Sequence, residues 1–252
     1  MAVNGLQGIK KVQMRGRNAS ISNSPQTVWA PGSTYAKLTT GTALEVVSSS
    51  ASDTAAGTGA RTVVVEGLDA TFAPTKETVT LNGVTAVQMV NTSLVAVNKF
   101  YLASVGSGGV NAGNVDVRVT AAGAVKSRIS SSVGLGNGRA ADFIYTIPAG
   151  YIGVMGNIYF SSITTTGSLS VFLNTIDVNG VTQCVGEGQV SLTNTGFCPG
   201  QGQIFFDEGL VFPAKTMLEL RAVVSAGAGD LTAQADLYLL NNYATVTWGT
   251  GA

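Results

Sequence analysis

Histidine is absent from all 252 residues, and that absence removes much of catalysis and metal chemistry. Ser-His-Asp and Cys-His nucleophilic systems need an imidazole, as do the common histidine-containing metal sites. Cysteine is nearly absent too: only Cys184 and Cys198 occur, without C-x-x-C spacing. They are either two reduced thiols or a disulfide formed once the protein is outside a cell. No G-K-[ST] run is present, so no P-loop cradles a phosphate. The glycine clusters at 106–109, 134–138 and 200–202 do not match G-x-G-x-x-G, and turns between strands account for them. Asp207-Glu208 is the only adjacent acid pair, and consecutive strand residues point to opposite faces, which makes a poor acid/base couple. No D-x-D cluster offers calcium its oxygens. The expectation is a non-enzyme with no catalytic, cofactor or metal residues.

Charge is scarce as well. Only 11% of residues are charged, against a norm of about 25%, and Lys+Arg and Asp+Glu stand at 14 each. A net charge of zero offers no global field for nucleic acid or an anionic membrane. No apolar run approaches the length that spans a bilayer, and MAVNGLQGIKK lacks the apolar core of a signal peptide. Synthesis in the cytoplasm without secretion is therefore expected. Low charge with 32 glycines would suit a disordered chain, but 45% of residues are hydrophobic and they alternate in strand-like runs. A folded β-protein with much of its surface covered by neighbours fits better.

What charge exists is unevenly placed. Residues 1–44 carry Lys10, Lys11, Arg15, Arg17 and Lys37 with no acid, a surplus of +5 that the remainder balances with −5. Residues 1–40 show no sustained alternation and contain Pro25 and Pro31, so they read as an extended arm. Lys10, Lys11, Arg15 and Arg17 either lie on a solvated tail or dock that arm on an acidic partner.

Regular β-signal begins at 43–48. A small-residue loop follows, in which Asp53 is placed to cap its own turn. RTVVVEG (61–67) and TKETVTL (75–81) form a hairpin pattern, and Asn82-Gly83 is the strongest two-residue turn signal in the chain. SSSVGLGNG (130–138) marks a boundary. Beyond it, Pro148-Ala149-Gly150 reverses the chain between two β-rich runs. In the second run Ile152, Val154, Gly156, Ile158 and Phe160 share one face. Further on, Leu218, Leu220, Ala222 and Val224 point inward with Glu219 and Arg221 outside, and Leu231, Ala233, Ala235, Leu237 and Leu239 point inward. The expected fold is all-β: an N-terminal arm at 1–40, a β-sandwich region at 41–135, and a jelly-roll sandwich at 136–252. The two β-regions are one domain or two. Trp248, in a Thr/Gly-rich tail, is a candidate contact anchor.

SSSASDTAAGTGARTVVVEGLD (48–69) and ETVTLNGVTAV (77–87) resemble segments of virion structural proteins of tailed bacteriophages, marine ones especially, and of some large DNA viruses of algae. YTIPAGYIGVMGNIYFSS (145–162) and GLVFPAKTMLELRA (209–222) are similar to jelly-roll parts of the same proteins. Members are called head decoration, cement, head-fibre or tail-fibre proteins. The resemblance implies a non-enzymatic capsid accessory on the virion exterior, partnered by the major capsid protein and trimeric by analogy. The other reading it leaves is a receptor-binding fibre that presents aromatics to a host glycan.

Overall fold

The structure, a computed structural model, describes residues 9–135, 137–164, 167–191 and 200–241. Every regular element among them is a β-strand, and the paired strands run antiparallel. In chain order they are β1 (Ile9–Ile21), β2 (Gln26–Thr27), β3 (Leu44–Ser48), β4 (Ala60–Asp69), β5 (Pro74–Thr80), β6 (Val87–Gln88), β7 (Leu94–Val105), β8 (Val115–Val119) and β9 (Val125–Ile129). There follow β10 (Ile144–Thr146), β11 (Tyr151–Thr164), β12 (Ser168–Ile176), β13 (Thr182–Ser191), β14 (Gly200–Phe212), β15 (Met217–Val224) and β16 (Gly229–Asn241).

Two hydrophobic cores divide them. The smaller sandwich faces a β6-β3-β8-β9 sheet against a β5-β4-β7 sheet. Leu44, Val46, Val63, Val65, Phe100, Val115, Val117 and Ile129 fill the space between. The alternation of β-branched residues with Thr, Glu and Lys in RTVVVEG and TKETVT dictates this, each strand giving one face to the core. Asp53 does not cap its own turn as the sequence suggested. Fully buried, its carboxylate accepts from Ala60 N (2.6 Å), Ala112 N (2.8 Å), Gly113 N (2.9 Å) and Ser48 Oγ (2.5 Å), tying together three stretches of chain. Gly59 makes room for it, since a Cβ there would meet Asp53 Oδ1 at 2.1 Å.

The larger unit has a front sheet, β1-β16-β11-β14, and a back sheet, β10-β15-β12-β13, with β2 added along β15. Numbering its eight main strands in chain order gives 1-8-3-6 over 2-7-4-5, the wrap of a jelly roll. Its front sheet gives the core Val12, Met14, Met155, Ile158, Phe160, Leu231 and Leu237. Its back sheet answers with Leu169, Val171, Leu173, Leu218 and Leu220, and Phe143 joins them from the segment before β10. The smaller sandwich is thus an insertion between β2 and β10 of the jelly roll.

Residues 9–21 are accordingly not a free arm. They form the 13-residue β1, which pairs along β16 from Ile9↔Leu240 to Ile21↔Gly229. The inward set of β1 is Val12, Met14, Gly16 and Asn18, only half of it apolar, so the period-two signal is masked. Buried Asn18 is satisfied by donating to Thr27 O at 3.0 Å. The following segment covers the back sheet: Trp29 and Tyr35 pack with Ile144, Ile176 and Met217. That cover corrects the expectation for Glu219, which is fully buried rather than outward. It accepts from Thr27 Oγ1 and lies 2.9 Å from Arg221 Nη2.

Pro148-Ala149-Gly150 does turn the chain, with Gly150 at φ 78°. It joins β10 in one sheet to β11 in the other, so it is a corner and not a hairpin. The single apolar face expected for β11 is split. Register slips between Met155 and Ile158, and one extra residue exchanges the faces of a strand. Before the slip Gly153 and Met155 point inward; after it Ile158 and Phe160 do. Ile152 and Val154 are left on the outside of the front sheet.

Candidate interaction surfaces

The four basic residues near the N-terminus do not act as one cluster. Lys11, Arg15 and Arg17 share the outward parity of β1, while Lys10 has the opposite parity and lies with Glu66, Lys76 and Lys99 beside the smaller sandwich. Lys11 pairs with Asp236 at 2.7 Å, and Arg17 donates through Nε to Asp230 at 3.0 Å. Those ion pairs hold β1 to β16 and leave Arg15 as the outward cation of β1 with no carboxylate among the described residues. Cys184 is exposed on β13, and Cys198, its partner in the disulfide alternative, lies outside the described residues, as does Trp248. Asp207 is exposed on β14. Among the described residues no three His, Cys, Asp or Glu side chains gather in a way that would hold a metal ion.

Two surfaces stand out. The first is the outer face of the front sheet. In the central row, Lys11, Tyr238, Val154 and Val211 lie side by side across four strands. Arg15, Gln234, Tyr159 and Gln203 form another row, with Phe205 opposite Asn157 between them. Val211 is 62% exposed, Phe205 58%, Tyr159 48% and Tyr238 40%. Ile152 and Leu240, paired with each other and flanked by Ile9, extend the apolar area. The bulge in β11 places Ile152 and Val154 here, which is why the sequence pattern assigned them to the core.

The second surface is a cleft of about 430 Å³ between β1 of the jelly roll and β7 of the smaller sandwich. Gln13, Arg15, Asn98, Lys99, Tyr101, Arg139 and Asp142 line it. The two units are stitched together beneath it. Asn98 donates to Thr146 O at 2.8 Å and accepts from Thr146 N at 2.9 Å, and Ser127 donates to the Asp142 carboxylate. At one end Ala149 N donates to Phe72 O at 3.0 Å, and Lys215 lies over the Phe72 ring. Burial pushes the Asp142 carboxyl up to about 7, against the opposing pull of hydrogen bonds from Ser127 and the Ala30 and Arg128 amides. Its Oδ1 is shielded from solvent and has no hydrogen-bond partner. Burial, followed by the nearby charge of Arg139, lowers the affinity of Arg15 for its proton. Arg139 and Asp142 were missed in the sequence because they follow a Gly/Ser run that reads as a boundary. No spacing rule links them to Arg15 more than a hundred residues earlier.

No family model matches the sequence, and no curated protein does. Among solved structures the chain is similar to Eiger TNF from S. frugiperda, with 17% identity and a TM-score of 0.26. That match covers 36% of this chain and 59% of the TNF chain, less than two thirds of its length. It is also similar to the T=1 particles derived from infectious bursal virus, with 15% identity, a TM-score of 0.25, and coverage of 96% and 72%. The VP2 subviral particle of infectious bursal disease virus gives 13% identity, a TM-score of 0.26, and coverage of 96% and 74%. Likenesses at this level carry no argument about function; the jelly roll stands on the strand order given above.

Proposed function

We propose that the protein is a non-enzymatic structural component of a virus particle. In this reading it decorates or cements a phage capsid from the outside as a homotrimer, in contact with the major capsid protein. The observation that carries it is the apolar outer face of the front sheet. A monomer that exposes Tyr159, Phe205, Val211 and Tyr238 together on a flat sheet invites association. The occupant we assign is a second copy of the chain. Two of the three cations that β1 turns to this face, Lys11 and Arg17, are already neutralised within the subunit by Asp236 and Asp230, and with Arg15 alone left over the face offers a second copy mainly apolar contact. The low overall charge fits such a subunit, and synthesis in the cytoplasm of the infected host is part of the same proposal.

Light scattering on the purified chain tests the self-association: a trimer mass is expected, with Val211→Asp or Phe205→Glu shifting it to monomer. A monomer for the unsubstituted chain removes the face as the self-contact. Quantitative gels of purified virions test the role, since a decoration protein is present in many copies and a fibre in few. A second reading, a head- or tail-fibre protein that recognises a host glycan, is favoured by the cleft between the two units.

A further inference from the structure

Five cationic side chains line the cleft or share the outward parity of β1 beside it, and three of them are neutralised within the chain. Lys11 has Asp236, Arg17 has Asp230, and Lys99 has Glu66 at 3.4 Å. Arg15 and Arg139 remain: both line the cleft, Arg139 donates to Gln13, two residues from Arg15 on β1, and neither has a carboxylate partner among the described residues. Asp142 also lines the cleft but forms no ion pair with either of them; Ser127 donates to its carboxylate, and the guanidinium it acts on is that of Arg128. Two like charges held together without a counter-ion are unfavourable, and a folded chain keeps such an arrangement where a ligand supplies the missing charge.

The pair is also positioned in advance. Arg15 is fixed within the β1–β16 ladder, opposite Gln234. Arg139 sits on a short extended segment laced to β7 through Leu102 N to Gly138 O (2.6 Å) and Ala140 N to Phe100 O (2.8 Å). Its Nη2 donates to Gln13 Oε1 at 3.0 Å, which aims the guanidinium across the cleft mouth toward β1. Arg15 Nε is buried and has no hydrogen-bond partner among the described residues, an unmet donor that a turn of the side chain would present to an acceptor in the cleft. Planar guanidinium groups suit oxyanions, whose oxygens accept two parallel hydrogen bonds.

We propose that this cleft is an anion-binding site in which Arg15 and Arg139 hold the carboxylate or sulfate of an acidic sugar. The volume favours a molecule over a bare ion. About 430 Å³ far exceeds what one oxyanion fills and falls within the ~300–1,000 Å³ of small-molecule pockets. The side-chain amide of Gln13 on β1, whose N–H groups remain to donate, and the hydroxyl of Tyr101 on β7, which donates to Glu66 and can still accept, supply neutral polar groups for sugar hydroxyls from the two walls. The site rests on the chemistry of the cleft and not on a role in a virion, so it stands or falls separately from the capsid reading.

Isothermal titration of the full chain at low ionic strength tests it, with sodium sulfate, glucuronic acid, a sulfated disaccharide, glucose and an oligoglutamate peptide as titrants. Saturable binding is expected for the sulfated disaccharide, weaker binding for glucuronic acid and for free sulfate at the same site, and none for glucose. Arg139→Gln is expected to weaken the disaccharide by about tenfold or more, equivalent to at least ~1.4 kcal/mol. Raising the salt to about 0.15 M is expected to weaken it further. Arg15→Gln serves as the second variant. Each removes a like-charge contact, so the unfolding midpoint should hold or rise, which separates a lost site from a lost fold. The proposal is overturned by the absence of saturable binding by any of the anions, by binding that survives both substitutions, by equal affinity for sulfate and disaccharide, or by preference for the peptide.

Discussion

Met14→Ala separates a strand from a tail. Met14 is 3% exposed and lies in the jelly-roll core with Val12 and Phe143. Truncating a buried methionine costs about 2–5 kcal/mol, the lost transfer free energy plus the cavity left behind. In a unit of this size each kcal/mol moves the thermal midpoint by about 2–4 °C, so a fall of roughly 4–20 °C is expected. Lys10→Ala is the matched control. It lies on the same strand, is exposed, and makes no ion pair among the described residues, so its effect should stay within about ±0.5 kcal/mol.

Tryptophan fluorescence in urea, read in a Trp248→Phe background, is the assay, because Trp29 is buried against the back sheet of the jelly roll and the smaller sandwich has no tryptophan. The transition it reports is therefore that of the jelly roll. If Met14→Ala and Lys10→Ala have the same midpoint, β1 is not part of the fold and the N-terminal stretch is a tail after all. Deleting residues 1–21 should agree with the point variant: it exposes β16 as an unpaired edge and is expected to give an aggregating protein.

Three further outcomes follow from buried polar groups. Asp53→Ala removes the acceptor of four hydrogen bonds and is expected to cost roughly 3–5 kcal/mol, with lost hydrogen-exchange protection at the Ala60, Ala112 and Gly113 amides. Arg221→Ala leaves Glu219 buried without its cation and is expected to cost about 3–5 kcal/mol by urea denaturation, much of it recovered in the Glu219→Gln, Arg221→Ala double variant. For Asp142, the folded-state value near 7 stands above the unfolded ~3.9, so the folded protein binds that proton more tightly. Its contribution to stability is full below about pH 4 and is lost as pH rises through about 7. Glu66 and Asp69 shift the other way. Hydrogen bonds from Thr71 lead at Asp69; at Glu66 burial is the largest single influence, and Lys99, Tyr101 and Lys76 together outweigh it, so both carboxyls are held below their ordinary values. A fall in urea midpoint from about pH 5 to about pH 8 that Asp142→Asn does not reduce would contradict this assignment.

Much of the fold was legible because it rests on local alternation. RTVVVEG and TKETVTL pair as β4 and β5, and the inward set of β16 is the one its sequence spells out, Leu231 to Leu239. The stretches that misled are those where a neighbour distant in sequence sets the environment. Glu219 alternates as an outward residue and is buried where β2 lies along β15, with the Thr27 hydroxyl donating to it from almost two hundred residues earlier. β1 hid because its inward positions include Gly16 and Asn18, residues that suit close backbone packing and a buried hydrogen bond rather than a hydrophobic signal.

The same reasoning explains why the candidate surfaces were not legible. An apolar residue on a strand is assigned to the core by parity, and parity survives only while register is unbroken. One extra residue after Met155 sends Ile152 and Val154 outward, beside Tyr238 and Val211, and turns a core pattern into a surface pattern. Deleting Gly156 would leave those faces as they are: Met155↔Leu237 and Ile158↔Ala235 would be joined by a regular ladder, with Gly153, Met155, Ile158 and Phe160 inward and Ile152 and Val154 outward. The extra residue is therefore where the two halves of β11, of opposite sequence parity, are brought to one core. The apolar exterior is written in the sequence as a change of parity between Met155 and Ile158, and an interface read from this face depends on where that change falls.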